Sequence, residues 1–282
     1  MTGLRKAADV TAPGALTPPA VHRRRRRRLA RAAQYGLLVL AALLVVALAD
    51  WNRLADQFGR VSVARQMFPE VITVALRNTV LFTVGGFLFG LVLGMVVALM
   101  RRSDVPLCRY LAVAYIEVFR GLPALLIFVF TGVGIPLAFP GVRFPGGIYG
   151  QTAFALGLVA AAYMAETIRA GIEAVPRGQW EAARSLGMRQ SHALRSIVVP
   201  QAFRIIIPPL TNELVLLFKD SSLVLFLGVT LQDRELTKFG QDAASSAANT
   251  TPILVAGLCY LLITIPLGIL VRRLETHTRK AR

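Results

Sequence analysis

Residues 178–209 read GQWEAARSLGMRQSHALRSIVVPQAFRIIIPP. Most of this stretch is polar and basic, yet it connects two apolar runs at 151–171 and 203–229. Each run has about the length that a helix needs to cross a bilayer. A polar loop of about thirty residues between two spans is unusual unless something binds it. The stretch therefore predicts a docking site for a soluble partner on a chain that otherwise crosses a membrane.

The composition is typical of an integral membrane protein. Hydrophobic residues make up 55% of the chain, the mean hydropathy is +0.58, and charged residues account for only 17%. Several runs approach the roughly 20 apolar residues of a transmembrane helix. They do not alternate apolar and polar residues as the strands of a membrane barrel do. We therefore predict an all-α integral membrane protein with about six transmembrane helices.

The predicted organisation has five parts. Residues 1–28 form a disordered basic tail that ends in six arginines, 29–49 an N-terminal transmembrane helix, and 50–70 an extracytoplasmic segment. Residues 71–274 form a five-helix membrane domain containing the loop 172–204, and 275–282 form a basic cytoplasmic tail. The first apolar run also resembles a secretory signal, so whether it is cleaved stays open.

The distribution of basic residues predicts the topology. Segments assigned to the cytoplasm hold 22 Lys and Arg residues, and segments assigned to the outside hold six. Basic residues collect in cytoplasmic loops, so both termini and the loop 172–204 are predicted to be cytoplasmic. The same rule accounts for the net charge of +17. We expect the arginine run to contact anionic lipid headgroups of the bilayer, and we expect no nucleic-acid partner.

Three glycines indicate a helix contact in the second span. Gly86, Gly90 and Gly94 are spaced four residues apart, so they lie on one face of a helix. Small residues at this spacing allow a neighbouring helix to approach closely.

Charged residues near the ends of two spans are candidates for a gate or an ion pair. Glu166 and Arg169 are three apart and share one face of the fourth span, while Arg120 lies near the inner end of the third. One interpretation is an ion pair at the membrane boundary. The other is a polar contact that changes partner when a transport pathway opens.

The fifth span carries the candidates for a substrate path. Pro208 and Pro209 should bend or break its helix, and Asn212, Glu213 and Lys219 follow them. Polar groups at this depth are costly unless they face a cavity or each other. These three residues therefore line a path, or they pair with one another or with a second subunit.

The polar loop itself predicts two short helices. Residues 179–186 favour a helix, and Gly187 suits the left-handed position that ends it. Ser191 is placed to cap a second helix at 192–198. A metal site is not indicated, because the sequence has no CxxC motif and no histidine cluster.

The spacing of six loop residues resembles the EAA loop found in permease subunits of bacterial ATP-binding-cassette (ABC) importers. These residues are Glu181, Ala182, Ala183, Gly187, Ile197 and Pro200. Val199 departs from the pattern, since leucine is usual there. The motifs Arg120-Gly121-x-Pro123, Ala165-Glu166-x-x-Arg169 and KDSSL at 219–223 are similar to the polar amino-acid branch, which includes histidine, glutamine, glutamate and arginine permeases. The resemblance covers about 73–274 and covers the first 70 residues poorly.

The resemblance implies a multi-pass permease of the bacterial inner membrane that imports a polar or charged amino acid by alternating access. It implies two ABC ATPase subunits, a second permease subunit, and an extracytoplasmic amino-acid-binding protein. The EAA residues would contact the ATPase. The chain lacks the GxxxxGK[ST] phosphate loop, so we expect ATP and Mg²⁺ to be bound by the ATPase, with no cofactor and no catalytic residue here.

A self-contained secondary transporter or channel for a small polar solute is the alternative function. Such a protein needs its own coupling-ion site, for which Glu213 and Asp220 are the candidates in the fifth span. It would leave the long loop unexplained. The sequence leaves open which amino acid is carried, and whether the permease pairs with itself or with a related chain.

Overall fold

The computed structural model describes residues 20–280, which contain no β-strand. Residues up to Leu54 form one compact unit and those from Ala55 onward form a second. The α-helices are α1 (Ala20–Leu48), α2 (Trp51–Phe58), α3 (Val61–Gln66), α4 (Arg77–Arg101), α5 (Pro106–Gly121), α6 (Ala124–Val129), α7 (Ile135–Ala138), α8 (Ile148–Glu173), α9 (Arg177–Ser185), α10 (Gln190–Ala193), α11 (Val199–Asp220), α12 (Leu236–Ala247) and α13 (Thr251–Lys280). Three π-helical turns, Val71–Leu76, Phe130–Gly134 and Leu194–Val198, and a 3₁₀ segment, Ser221–Leu227, complete the described helices.

Four described helices are long and apolar enough to cross a membrane. They are Ala30–Leu48, Val71–Arg101, Ile148–Glu173 and Thr251–Thr276, and a bent pair, Pro106–Gly121 with Ala124–Ala138, counts as a fifth. The predicted helical membrane fold is confirmed. The predicted fifth span corresponds to α11, which carries Arg204, Glu213, Lys219 and Asp220 and is not among these candidates. The predicted sixth span corresponds to α13.

The glycines of α4 lie against α8, as their spacing predicts. Gly86, Gly90 and Gly94 are all buried. A Cβ atom on Gly86 would lie 2.5 Å from the Cβ of Leu156, and one on Gly94 would lie 3.0 Å from the backbone oxygen of Ala161. No side chain fits between the two helices at these points, so the predicted close approach is confirmed.

Helix α5 is a separate element and not the start of a straight third span. Its axis is bent by 104° from the segment Ala124–Ala138, and the bend falls at Leu122 and Pro123. The hydroxyl of Tyr115 donates a hydrogen bond to the backbone oxygen of Leu158 at 2.6 Å, which fixes α5 on α8. Ile116 is fully buried on the same side of α5.

The predicted outcome at Pro208 and Pro209 was a bend or a break, and the break is wrong because helix α11 runs through both prolines. A proline has a fixed φ near the helical value, so two of them remain compatible with a helix when neighbouring helices hold it. Helices α8 and α13 supply that packing. The predicted cap at Ser191 is also wrong, because α10 begins one residue earlier at Gln190. Helix α10, the second helix of the loop, is not a separate helix, because it continues through the π-helical turn Leu194–Val198 into α11.

Hydrogen bonds hold the segment between α11 and α13 against α4 and α13. Asn78 of α4 donates to the backbone oxygen of Gln232 at 2.8 Å, and Thr79 accepts from the backbone N–H of Leu236 at 3.1 Å. Glu235 caps α12 by accepting from two backbone N–H groups, and the hydroxyl of Tyr260 donates to it at 2.9 Å. Burial raises the pKa of the Glu235 carboxyl, and these donors oppose that shift.

Both predicted tails are partly helical. Helix α1 begins at Ala20, so the predicted disorder of 1–28 is wrong for residues 20–28, and 1–19 lie outside the described residues. Adding residues to an existing helix costs little, and arginine is a good helix former. Helix α13 likewise extends to Lys280, beyond the predicted end of the membrane domain at 274.

Candidate functional site

The predicted docking loop is a helix, a tight turn and a second helix. Helix α9 ends at Ser185, and Gly187, two residues later, has the predicted left-handed conformation with a φ of +82°. The backbone N–H of Met188 donates to the oxygen of Ala183 at 3.2 Å, and that of Gly187 donates to Arg184 at 3.0 Å. The Arg184 side chain donates to the backbone oxygen of Met188 at 2.6 Å. These bonds give the turn one defined shape.

The six EAA residues divide into outward and inward sets. Glu181, Ala182 and Pro200 are exposed, whereas Ile197 is half-buried. Ala183 is buried on the inner side of α9, where it holds α9 on the helix that follows. The carboxylate of Glu181 forms no hydrogen bond or ion pair with any residue of the 20–280 range. It is therefore available to a partner.

Leu186 is a feature of this segment that sequence reasoning missed. Its side chain is 85% exposed at the C-terminal end of α9, directly before Gly187. A single exposed leucine does not by itself identify an interaction surface, but here it lies on the segment that also carries the exposed Glu181. The available signal was its position at a helix end, where the apolar periodicity of a buried face no longer applies.

Glu166 and Arg169 are in contact, and the structure adds two residues to them. The Nε and Nη2 atoms of Arg169 both donate hydrogen bonds to the carboxylate of Glu166. Arg101, at the end of α4, donates to the same carboxylate at 2.9 Å. Arg169 also binds Glu173 at 2.5 Å. The Glu166, Arg101 and Arg169 side chains are each about one quarter exposed. The network joins the ends of α4 and α8. Arg101 was not among the predicted gate residues.

Arg120 does not join this network through a direct contact. Its guanidinium lies over the ring of Tyr163 at 5.5 Å from the ring centre. Its positive charge acts weakly on both Glu166 and Glu213. The cation–π contact holds it beside α8.

The three path candidates lie on α11 without partners. Asn212 and Lys219 are exposed and seven residues apart, which places them on one face, and Glu213 beside them is half-buried. Within the described chain none of the three side chains forms a hydrogen bond or an ion pair, so the proposal that they pair with one another is wrong. Lining of a path and pairing with a second subunit both stay predictions for these residues.

Comparison with known proteins identifies the class. A family model described as "Binding-protein-dependent transport system inner membrane component" matches residues 86–280. This match spans well over half of the chain, so the chain belongs to that family. It is a multi-pass inner-membrane permease of the ABC importer class, as the EAA pattern indicated.

Two curated relatives specify the branch. The chain is 36% identical over 255 residues to the arginine transport system permease protein ArgU of Corynebacterium glutamicum, covering 86% of this chain and 80% of that protein. It is 38% identical over 204 residues to the probable glutamine ABC transporter permease protein GlnM of Bacillus subtilis, covering 72% and 91%. The alignment with ArgU is longer than the part of this chain that follows Thr73, so it must include part of the first 70 residues. The expectation that the resemblance covers those residues poorly is therefore wrong for this relative.

A solved structure shows the same arrangement of helices. The chain matches one entitled "Crystal structure of an amino acid ABC transporter with histidines" with a TM-score of 0.68 and 31% identity, covering 77% of this chain and 97% of that chain. The fold and the family thus agree with the predicted importer class. The secondary-transporter alternative is not favoured.

Proposed function

We propose that this permease carries a polar or charged amino acid inward, and that α9 with its Gly187 turn couples it to ATPase subunits. The observation that carries the coupling role is the unpaired, exposed carboxylate of Glu181 on a rigid helix beside the exposed Leu186. An acidic group and an apolar anchor on one rigid segment form a specific contact at low entropic cost. The predicted cytoplasmic location of 172–204 and of both termini is part of this proposal.

The proposed path runs along the exposed face of α11. Asn212, Glu213 and Lys219 offer both signs of charge and an amide, which are the groups that a zwitterionic substrate requires. The charge of Arg120 acts on both Glu213 and Glu166, so we include it as an electrostatic link between the proposed gate and the proposed path. The network of Glu166, Arg169 and Arg101 is proposed to change partner as the path opens.

The proposed assembly contains two permease subunits, two ABC ATPases that bind ATP and Mg²⁺, and an extracytoplasmic amino-acid-binding protein. The chemistry of hydrolysis belongs to the ATPases, so no step of it is assigned to residues of this chain. The exposed face of α11 supports a permease pair, because unpartnered polar groups within a membrane are costly.

Reconstitution tests the proposal. The chain is placed in liposomes with its ABC ATPase and its amino-acid-binding protein, and uptake of labelled arginine, histidine, glutamine, glutamate and leucine is measured. We expect uptake of at least one polar amino acid that requires ATP on the ATPase side and the binding protein on the other. Uptake driven by an ion gradient without the ATPase would establish the secondary-transporter alternative instead.

A further inference from the structure

A cavity of about 600 Å³ lies between the C-terminal ends of α4 and α8 and the segment formed by α9 and α10. One wall is apolar and consists of Ile172, Val175, Trp180, Leu194 and Val198. Val175 and Val198 belong to the same buried cluster as Val97 and Ile168, so this wall is continuous with the core. The volume is in the range that accepts a small organic group.

The polar side of the cavity carries unmatched positive charge. Arg102 and Arg177 line it, and neither forms an ion pair with any residue between 20 and 280. Glu173, the acidic residue among those lining the cavity, is bound by Arg169 at 2.5 Å. Because the charge of Glu173 is already paired with Arg169, the guanidinium groups of Arg102 and Arg177 favour the binding of an anion in the cavity. Their planar donors match phosphate oxygens in particular.

The position of the cavity selects the kind of phosphate. Helices α4 and α8 are both of membrane-spanning length and hydropathy, and the cavity lies where both end. This is the depth of lipid headgroups, where tryptophan is enriched because its ring is amphipathic. Trp180 lines the cavity and is half-buried. An apolar wall beside two arginines at this depth is suited to an amphiphile more than to a fully water-soluble anion.

We propose that this cavity binds the phosphate headgroup of an anionic phospholipid, with Arg102 and Arg177 on the phosphate and the glycerol region against the apolar wall. Basic sites at membrane boundaries recognise such lipids by the same chemistry. The bound lipid connects α9 to the ends of α4 and α8. Its effect on transport rests on the proposed coupling role, whereas the binding itself does not.

Tryptophan fluorescence in the full-length chain tests the site. The chain has two tryptophans, so Trp51→Phe leaves Trp180 as the sole emitter. This protein is placed in nanodiscs containing phosphatidylglycerol or phosphatidylcholine brominated near the headgroup end of the acyl chain, at equal mole fractions. We expect stronger quenching by the phosphatidylglycerol. We also expect R102Q/R177Q to raise the phosphatidylglycerol fraction at half-maximal quenching about tenfold, as expected when a charge-assisted contact is lost.

A matched control separates the site from general surface charge. Arg189 and Arg195 are exposed on the same segment and do not line the cavity, so R189Q/R195Q makes the same change of charge elsewhere. The proposal requires this control to keep the preference. Equal quenching by both lipids in the parent, or equal loss in both double variants, would overturn it. Suppression of the quenching by inorganic phosphate would assign the site to a free anion and overturn the lipid.

Folding is checked on the same samples. The emission maximum in pure phosphatidylcholine and the elution volume of R102Q/R177Q should equal those of the parent. If that variant does not fold, R102K/R177K replaces it, because lysine keeps the charge and loses the bidentate fork. A weaker but measurable preference for phosphatidylglycerol is then expected, and an unchanged preference would contradict the assignment to the two guanidinium groups. None of these readouts depends on transport, so failure here leaves the proposed function intact.

Discussion

Gly90 of α4 and Ala160 of α8 are so close that a Cβ atom on Gly90 would lie 2.9 Å from the Cβ of Ala160. The same atom would lie 3.3 Å from the backbone oxygen of Gly157, which cannot rotate away as a flexible side chain can. The glycine face of α4 is therefore in close contact with α8. Any side chain added there must separate α4 from α8.

Gly90→Val should destabilise the fold by about 1–3 kcal/mol, the usual cost of overpacking a core. The measurement is the midpoint of chemical unfolding in detergent. Gly257→Val is the control, because no atom lies within 4 Å of a Cβ built at Gly257 on α13. Equal effects of the two substitutions would show that α4 and α8 do not depend on this contact.

Gly187→Ala should weaken the coupling turn, because φ is +82° there and a left-handed L-residue costs about 1–2 kcal/mol. Gly187→Asn should cost less, since asparagine tolerates this conformation better. Proteolysis of the loop in the folded protein measures the local opening. Gly178→Ala is the control, because Gly178 lies in helix α9 with open space around it. Faster cleavage of that control than of Gly187→Ala would contradict the structural role of the turn.

Glu181→Ala should uncouple ATP hydrolysis from transport while the protein remains inserted and folded. The carboxylate is exposed and has no partner among the described residues, so its loss should leave the stability of the isolated chain unchanged within about 0.5 kcal/mol. Transport-stimulated ATPase activity of the reconstituted complex is the readout. Glu275→Ala removes an exposed carboxylate outside the loop. Wild-type stimulation in the Glu181 variant would remove the coupling proposal's main support.

Arg101 and Glu166 should show measurable energetic coupling in a double-mutant cycle of Arg101→Gln and Glu166→Gln. The pair is at 2.9 Å with both side chains one quarter exposed, so about 0.5–1.5 kcal/mol is expected after solvent screening. The Arg53–Asp50 pair, whose side chains are 87% and 52% exposed, should give less. If unfolding measurements showed no coupling energy between Arg101 and Glu166, this ion pair would not contribute to the stability of the fold.

Glu213→Gln should reduce the uptake of cationic amino acids more than that of neutral ones, because it removes a negative charge from the proposed path. A change of about tenfold in kcat/KM corresponds to one lost ionic contact of ordinary strength. Glu275→Gln is the charge-matched control outside the path. If uptake of all substrates fell equally, Glu213 would have a structural role and not a role in selectivity.

Some of these relationships could be predicted from the sequence and others could not. Glycines spaced four residues apart, such as Gly86, Gly90 and Gly94, must lie on one face of a helix. A close helix contact at this face of α4 was therefore predictable. The same holds for Gly187, where a left-handed turn favours glycine strongly. Both features depend on local geometry alone.

Other features depend on which elements meet in space. Arg101 and Glu166 are 65 residues apart in sequence, and their bond exists only because the ends of α4 and α8 meet in space. The proline pair suggested a break, yet α8 and α13 hold the helix through it. Pairing of the two cavity arginines with an apolar wall likewise requires three separate segments to converge. One-dimensional spacing carries no information on such contacts.

Helical residues continue without interruption from Gln190 of the docking loop to Asp220 beyond the polar face of α11. At roughly 1.5 Å per residue this rod is about 45 Å long, which exceeds the roughly 30 Å of a bilayer's hydrocarbon layer. In the proposed coupling, α10 is thus joined to Asn212 and Lys219 by one continuous helical backbone. The hydrogen-bond ladder of this rod changes at the π-helical turn Leu194–Val198 and at the proline pair. If the coupling proposal holds, the stiffness of those two places determines how much of a movement at the loop reaches the proposed path.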